Sequence, residues 1–154
     1  MQEQQVIAIQ DLYPEDLAHC FGCGKNNNEG YQLKTYRVGE ETISTFFPDK
    51  QYTALPGAVY GGLLASLLDC HGTASAAAFL CEHEDLPLHY PLQVRCVTGN
   101  LNVSFKALTP IGVPLTIRGR LKAIAGRKVT VEMTLLAKDK VCVTAEILAI
   151  RLKE

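Results

Sequence analysis

A chain of 154 residues, 47% hydrophobic and 20% charged, carries enough apolar material for one globular domain with a real core. The net charge of -1 hides an asymmetry: residues 1–100 hold five Lys/Arg against twelve Asp/Glu, and residues 101–154 hold ten against four. A basic C-terminal half suits an anionic ligand or partner, or simply complements the acidic half within the molecule.

Residues 1–9 are polar and carry no secretory signal, so the six cysteines read as reduced thiols and the expected location is cytoplasmic. Residues 14–18 predict a short helix, and residues 20–30, rich in Gly and Asn, a loop. Residues 31–38 and 42–47 read as strands joined by a turn at Gly39-Glu40. After Pro56-Gly57-Ala58-Val59-Tyr60-Gly61-Gly62 comes a mostly apolar or small run over residues 63–81, long enough to suggest a membrane span. Ser66, Asp69, His71, Thr73 and Ser75 within it argue instead for a buried helix, and no membrane partner is expected.

A polar loop over residues 82–89 follows. The remainder is strand-like: residues 94–98 and 101–107, with Gly99-Asn100 as a break or bulge between them, then 114–125, 128–137 and 141–152. Hairpin turns fall at Gly126-Arg127 and Asp139-Lys140. In Lys128-Val129-Thr130-Val131-Glu132-Met133-Thr134-Leu135 every second residue is apolar, so one sheet face is buried and the other wet.

One long apolar helix set among antiparallel strands has few good packings; the sheet must curl around the helix to cover it. The predicted class is therefore α+β, a hotdog fold with a curved antiparallel sheet wrapped around one central helix. Residues 1–30 form an N-terminal short helix and loop, and residues 31–154 the main body of a single domain. A single helix covers only one face of so long a sheet, which favours pairing between subunits.

Asp69 is the only carboxylate of the 63–81 run. A charge buried without a partner is costly, so it needs a partner, a shifted pKa or a chemical task. The residues that share its helix face, Gly62, Ala65, Ser66, Gly72, Thr73 and Ala76, are all small. This stripe is expected to leave room for a ligand or another backbone, while Leu64, Leu67, Leu68, Ala74 and Ala78 face the sheet. A solvated acid on an exposed face would have charged neighbours, and there are none.

The Gly61-Gly62 pair opens a helix N-terminus, whose free N–H groups accept negative charge. An anion-accepting helix start and a lone acid two turns on are the ingredients of acyl transfer. Eight residues separate them, about 12 Å along a helix. Donor and base must both lie within about 3 Å of one reacting group. If both act, they come from different subunits.

The segment from Pro56 to Asp69 resembles the signature of the PaaI-like hotdog-fold acyl-CoA thioesterases of phenylacetate degradation. The likeness extends through Thr98-Gly99-Asn100-Leu101-Asn102-Val103-Ser104-Phe105, Pro110-Ile111-Gly112, Gly119-Arg120 and Gly126-Arg127. Some members also share Cys20-Phe21-Gly22-Cys23-Gly24 and Gly30-Tyr31-Gln32-Leu33. The resemblance implies hydrolysis of an acyl-CoA thioester, with coenzyme A as part of the substrate and no separate cofactor. Asp69 matches the acid that activates water or attacks the carbonyl, Gly61 the backbone donor to the thioester oxygen, and Thr98 a residue that helps hold the water. Tyr60, Gly62 and Ser66 are expected to border the substrate. The CoA phosphates are expected at basic residues of the later strands: Arg118, Arg120, Lys122, Arg127 and Lys128. Family members work as homodimers that share the site, and often as homotetramers.

One position departs from the family. Tyr60 stands where His usually precedes the glycine pair, and Tyr cannot act as a cation near pH 7. The alternative is then a non-catalytic domain that binds acyl-CoA or acyl carrier protein. A hydratase of the same fold would need a short Asp/His loop motif that the chain lacks. His71 falls on the bulky side of the helix and reads as a core residue. Cys20-x-x-Cys23 has no second pair at ligand spacing, so no metal is expected, and Cys70, Cys81, Cys96 and Cys142 read as buried thiols. Phosphate-loop, dinucleotide and nucleophile-elbow motifs are absent, as is the aromatic-plus-basic strand pattern of a nucleic-acid binder.

Overall fold

The computed structural model describes residues 7–153. The polar stretch read at residues 1–9 therefore lies, for residues 1–6, outside the described residues. Strands β1 (Thr35–Val38), β2 (Glu41–Phe46), β3 (Cys96–Phe105), β4 (Leu115–Ala125), β5 (Lys128–Ala137) and β6 (Lys140–Arg151) form one antiparallel sheet in the order β1-β2-β4-β5-β6-β3. Helix α1 (Gly61–His83) lies against its inner face. This is the hotdog arrangement.

Alternation produces the inner face. Val129, Val131, Met133 and Leu135 of β5 and Leu115 and Ile117 of β4 are buried against α1, while Arg118, Arg120, Lys128 and Glu132 point outward. The register slips between Leu121 and Ala123 and between Leu135 and Leu136. Bulges of this kind bend the bulged strand and increase its twist, which helps the sheet close around the helix. Ion pairs fasten the far end of α1 to the sheet: Arg37 to Glu82 at 2.7 Å and Arg151 to Glu84 at 2.7 Å.

The sheet covers only part of α1, and the N-terminal segment covers another. Tight turns at Ile9–Leu12 and Glu15–Leu17 precede the loop, and Ile9, Leu12, Tyr13, Cys23 and Leu33 join the same core as the helix. The Ile9–Leu12 turn was not predicted; four residues are too few to show periodicity. α1 is long and apolar enough to cross a membrane by length and composition, yet 83% of its most apolar window is buried inside the protein.

The expected two-sided helix is corrected beyond Asp69. Gly61, Gly62, Ala65, Ser66 and Asp69 keep some accessibility and form the small-residue stripe. Residues 70–81 are all buried, small and bulky alike. Gly72, assigned to the open stripe, packs on the sheet: a Cβ there would lie 2.7 Å from Ile147 and 3.1 Å from Met133. A helix apolar all round is enclosed all round. The two strands expected on either side of Gly99-Asn100 are one strand, β3, with the irregularity inside it.

Candidate active site

The β3 irregularity aims a side chain. Thr98 pairs with Ala149 and Asn100 with Leu148, so Gly99 is the extra residue of a bulge. Glycine eases the fit there, because a Cβ would lie 2.7 Å from the end of the Ile150 side chain and 3.2 Å from the Leu148 carbonyl. Beside this bulge, the Thr98 hydroxyl donates a short hydrogen bond to Asp69 Oδ1. The second carboxylate oxygen has no hydrogen-bond partner among the described residues. Asp69 is half-buried, so this acid is held yet reachable.

At the other end of the accessible stripe, Tyr60 is the N-cap of α1 and supplies no side-chain cap. The first N–H groups of the helix therefore keep their donor capacity for a ligand. A Cβ at Gly61 would lie 3.4 Å from the Phe105 ring, so this exposed ring from the end of β3 borders the helix start. Phe105 ends the stretch that carries the family likeness, but its position over Gly61 is a tertiary contact that the sequence does not show. Ser66 Oγ donates to the Gly62 carbonyl at 2.8 Å, within the same turn of helix.

Tyr60 is committed to neighbours. Its hydroxyl lies 3.2 Å from that of Tyr31, and this contact, with burial, pushes Tyr31 up to about 12. Tyr31 stacks edge-on with Phe21, Phe46 and Tyr52 at 5.2, 6.1 and 5.6 Å. A Cβ at Gly62 would lie 2.8 Å from the Tyr60 ring, so the second glycine makes room for the tyrosine. An aromatic cluster thus flanks the helix start.

The basic residues separate into two groups. Arg118 and Arg120 project from the outer face and share Glu41, at 2.8 and 3.0 Å. Burial alone would raise the Glu41 carboxyl, but the two guanidiniums outweigh it and hold it below the usual range. The sheet separates both arginines from Asp69 of the same protomer. Lys122, also outward, pairs with Glu146 at 2.7 Å. Arg127 donates to the Arg151 carbonyl at 3.0 Å, and Lys128 pairs in the sheet with Ile150, which pairs with Val97. Arg127 and Lys128 therefore sit at the Thr98 end of the sheet.

His71 is fully buried, with Nδ1 2.6 Å from Ser44 Oγ and Nε2 3.0 Å from Thr42 Oγ1. It is a core residue, as its side of the helix predicted. Cys70 is not the isolated buried thiol expected. Its sulfur lies 3.8 Å from Cys20 Sγ, and the sulfurs of Cys20, Cys23 and Cys70 all lie within 4.8 Å of one another.

A helix wrapped by an antiparallel sheet, with an acid on the helix held from a bulged edge strand, defines a protein of the hotdog class. The thioesterase superfamily model matches residues 56–148, more than half of the chain, and the chain belongs to that superfamily. A thioesterase superfamily protein from Shewanella loihica is 42% identical over 80% of this chain and 93% of its own, with a TM-score of 0.66. PaaI from the phenylacetic acid degradation operon of E. coli shares the fold at 13% identity and a TM-score of 0.65, covering 80% of this chain and 81% of that one. Mouse acyl-coenzyme A thioesterase THEM4 is 25% identical over 124 residues, 80% of this chain. The match spans 47%, about half, of that curated relative's length.

Proposed function

We propose that this protein hydrolyses an acyl-CoA thioester to the free acid and coenzyme A. The observation that carries the reading is the Thr98–Asp69 hydrogen bond, which fixes one carboxylate oxygen of a residue that stays partly accessible. Asp69 acts as base or nucleophile. As base it takes a proton from water, the hydroxide adds to the carbonyl carbon, and the carbon–sulfur bond breaks to release the CoA thiolate. As nucleophile its free oxygen attacks the carbonyl carbon, the carbon–sulfur bond breaks to release the CoA thiolate, and water then hydrolyses the mixed anhydride to the free acid and the regenerated carboxylate.

The Gly61 N–H polarises the thioester oxygen and stabilises the charge that develops there. Gly61 and Asp69 lie on one continuous helix, about 12 Å apart, so the reading requires two chains per site. What supports a homodimer is β3: it is an edge strand, it carries Thr98, and most of its length is exposed. An open edge offers unpaired N–H and C=O groups to another strand. Further pairing to a homotetramer and a cytoplasmic location belong to the same proposal. Arg127 and Lys128, at the Thr98 end of the sheet, are the preferred phosphate contacts, since Arg118 and Arg120 are engaged by Glu41.

Steady-state release of free thiol from short, long and aromatic acyl-CoAs tests the reading. Turnover of at least one class, lost in Asp69→Asn, is the expected result. Binding of acyl-CoA without turnover of any class would leave the non-catalytic alternative that Tyr60 suggests.

A further inference from the structure

We propose that Cys20, Cys23 and Cys70 form a three-thiolate site for zinc(II), with the fourth position open to solvent, which ties the N-terminal loop to the helix that carries Asp69. This site is independent of the hydrolase reading: it would exist whether or not Asp69 turns over a thioester.

The sulfur geometry matches the ion. With metal–sulfur bonds of about 2.3 Å, the edge of a tetrahedron is about 3.8 Å. Cys20 and Cys70 are 3.8 Å apart across fifty residues of sequence, and the third sulfur lies within 4.8 Å of both. A disulfide needs about 2.05 Å, so the cluster is open around a common centre rather than drawn together in one pair. Among the described residues no fourth His, Cys, Asp or Glu joins the group. Cys20 is the half-buried member and Cys23 and Cys70 are buried, which puts the open position on the solvent side. Soft thiolates select zinc over magnesium or calcium.

The backbone around the three sulfurs is shaped to admit them. Gly22 has a specific task, since a Cβ there would overlap Cys70 Sγ. The adjacent Arg95 is half-buried over the Tyr13 ring at 4.3 Å, and among the described residues it has no carboxylate within ion-pair distance. Three thiolates and one zinc(II) sum to one negative charge, the sign that a guanidinium without a carboxylate partner complements. The buried Tyr13 hydroxyl beside it also has no hydrogen-bond partner among the described residues.

The consequence is mechanical. The loop that leaves Cys23 continues to Tyr31, which holds the Tyr60 hydroxyl at the start of α1. Metal at Cys70 would pin that loop one residue from Asp69.

The test uses the whole chain, reduced and freed of metal with a chelator, with its thiols counted before titration. Cobalt(II) should bind one per chain, with the absorption of tetrahedral cobalt and thiolate-to-cobalt charge transfer, and zinc should displace it. Zinc should also raise the thermal midpoint. Cys20→Ser, Cys23→Ser and Cys70→Ser should each weaken binding by more than about a hundredfold, while Cys142→Ser leaves it unchanged. Gly22→Ala, which keeps every thiol, should weaken it as well. Circular dichroism establishes that each variant is folded; the wild-type spectrum decides the matter if one is not. A fully reduced wild-type chain that binds no cobalt stoichiometrically overturns the proposal. So does binding that survives Cys70→Ser, or a chain that takes no metal and instead closes a Cys20–Cys23 disulfide on mild oxidation.

Discussion

Thr98 on the edge strand donates a hydrogen bond to Asp69 on the central helix, across 29 residues of sequence. The bond converts an acid on a helix into an acid of fixed orientation. Asp69→Asn keeps the shape and removes the base, so turnover should fall about a hundredfold or more with the fold intact. Thr98→Val removes only the positioning bond. A hydrogen bond to a charged group contributes about 1.5–3 kcal/mol, so kcat should fall roughly ten- to a hundredfold with KM little changed. Near-normal turnover by Asp69→Asn would remove the assignment of the acid.

Gly61 is the first residue of α1, a position where proline fits because its missing N–H makes no helical bond. Gly61→Pro therefore deletes the proposed donor without breaking the helix, and both it and Asp69→Asn should be inactive alone. Mixed in equal amounts and allowed to exchange, half of the dimers are hybrids, each with one intact site. Activity should recover to about a quarter of the wild-type value. Mixtures that demonstrably exchange subunits yet stay inactive would sink the shared site.

Tyr60 presents its hydroxyl to Tyr31, 3.2 Å away, within a cluster of rings. Its place is thus one of packing at the helix start rather than donation to the substrate. Tyr60→Phe should change turnover by less than about tenfold, since a lost transition-state donor would cost about a hundredfold. Tyr60→His should raise activity toward small acyl-CoAs by freeing space beside Gly61. A loss of two orders of magnitude in Tyr60→Phe, with substrate binding intact, would make the hydroxyl a donor in the reaction.

Much of this architecture is legible along the chain because period and polarity report burial. Lys128 to Leu135 alternates as an isolated strand would, and it is β5. Asp69 is conspicuous because its helix offers no other acid for over a dozen residues. Contacts between distant segments leave no such trace. Gly99-Asn100 reads equally as a break or a bulge, since composition does not distinguish a gap between strands from a bulge within one. Cys20 and Cys70 are fifty residues apart, and no spacing rule joins a loop pair to a helix thiol. Gly72 resembles its small neighbours upstream, yet it is buried against Ile147 where they stay partly accessible. That difference depends on where the N-terminal segment and sheet close over the helix, which a helical period does not encode.

His71 makes the stability of this core depend on pH. Burial pushes its imidazole from the ordinary 6.5 down to about 3, opposed in part by a hydrogen bond with Thr42. The folded value lies below the unfolded one, so between the two the unfolded chain binds the extra proton. The stability contributed by the neutral ring is complete above about 6.5 and lost as the pH falls from there toward 3, at up to about 1.4 kcal/mol per pH unit. The ring bonds Ser44 and Thr42 on opposite sides, and Gly119 leaves it room, so little can move to hydrate a charge. His71→Gln lacks the titration and should be less stable at neutral pH, because it fills the cavity and pairs with the hydroxyls less well. Between pH 6.5 and 4.5 its stability should nevertheless change less than that of the wild type. Urea unfolding of both proteins across that range measures the two slopes. Parallel curves would mean that His71 takes up its proton without unfolding the core.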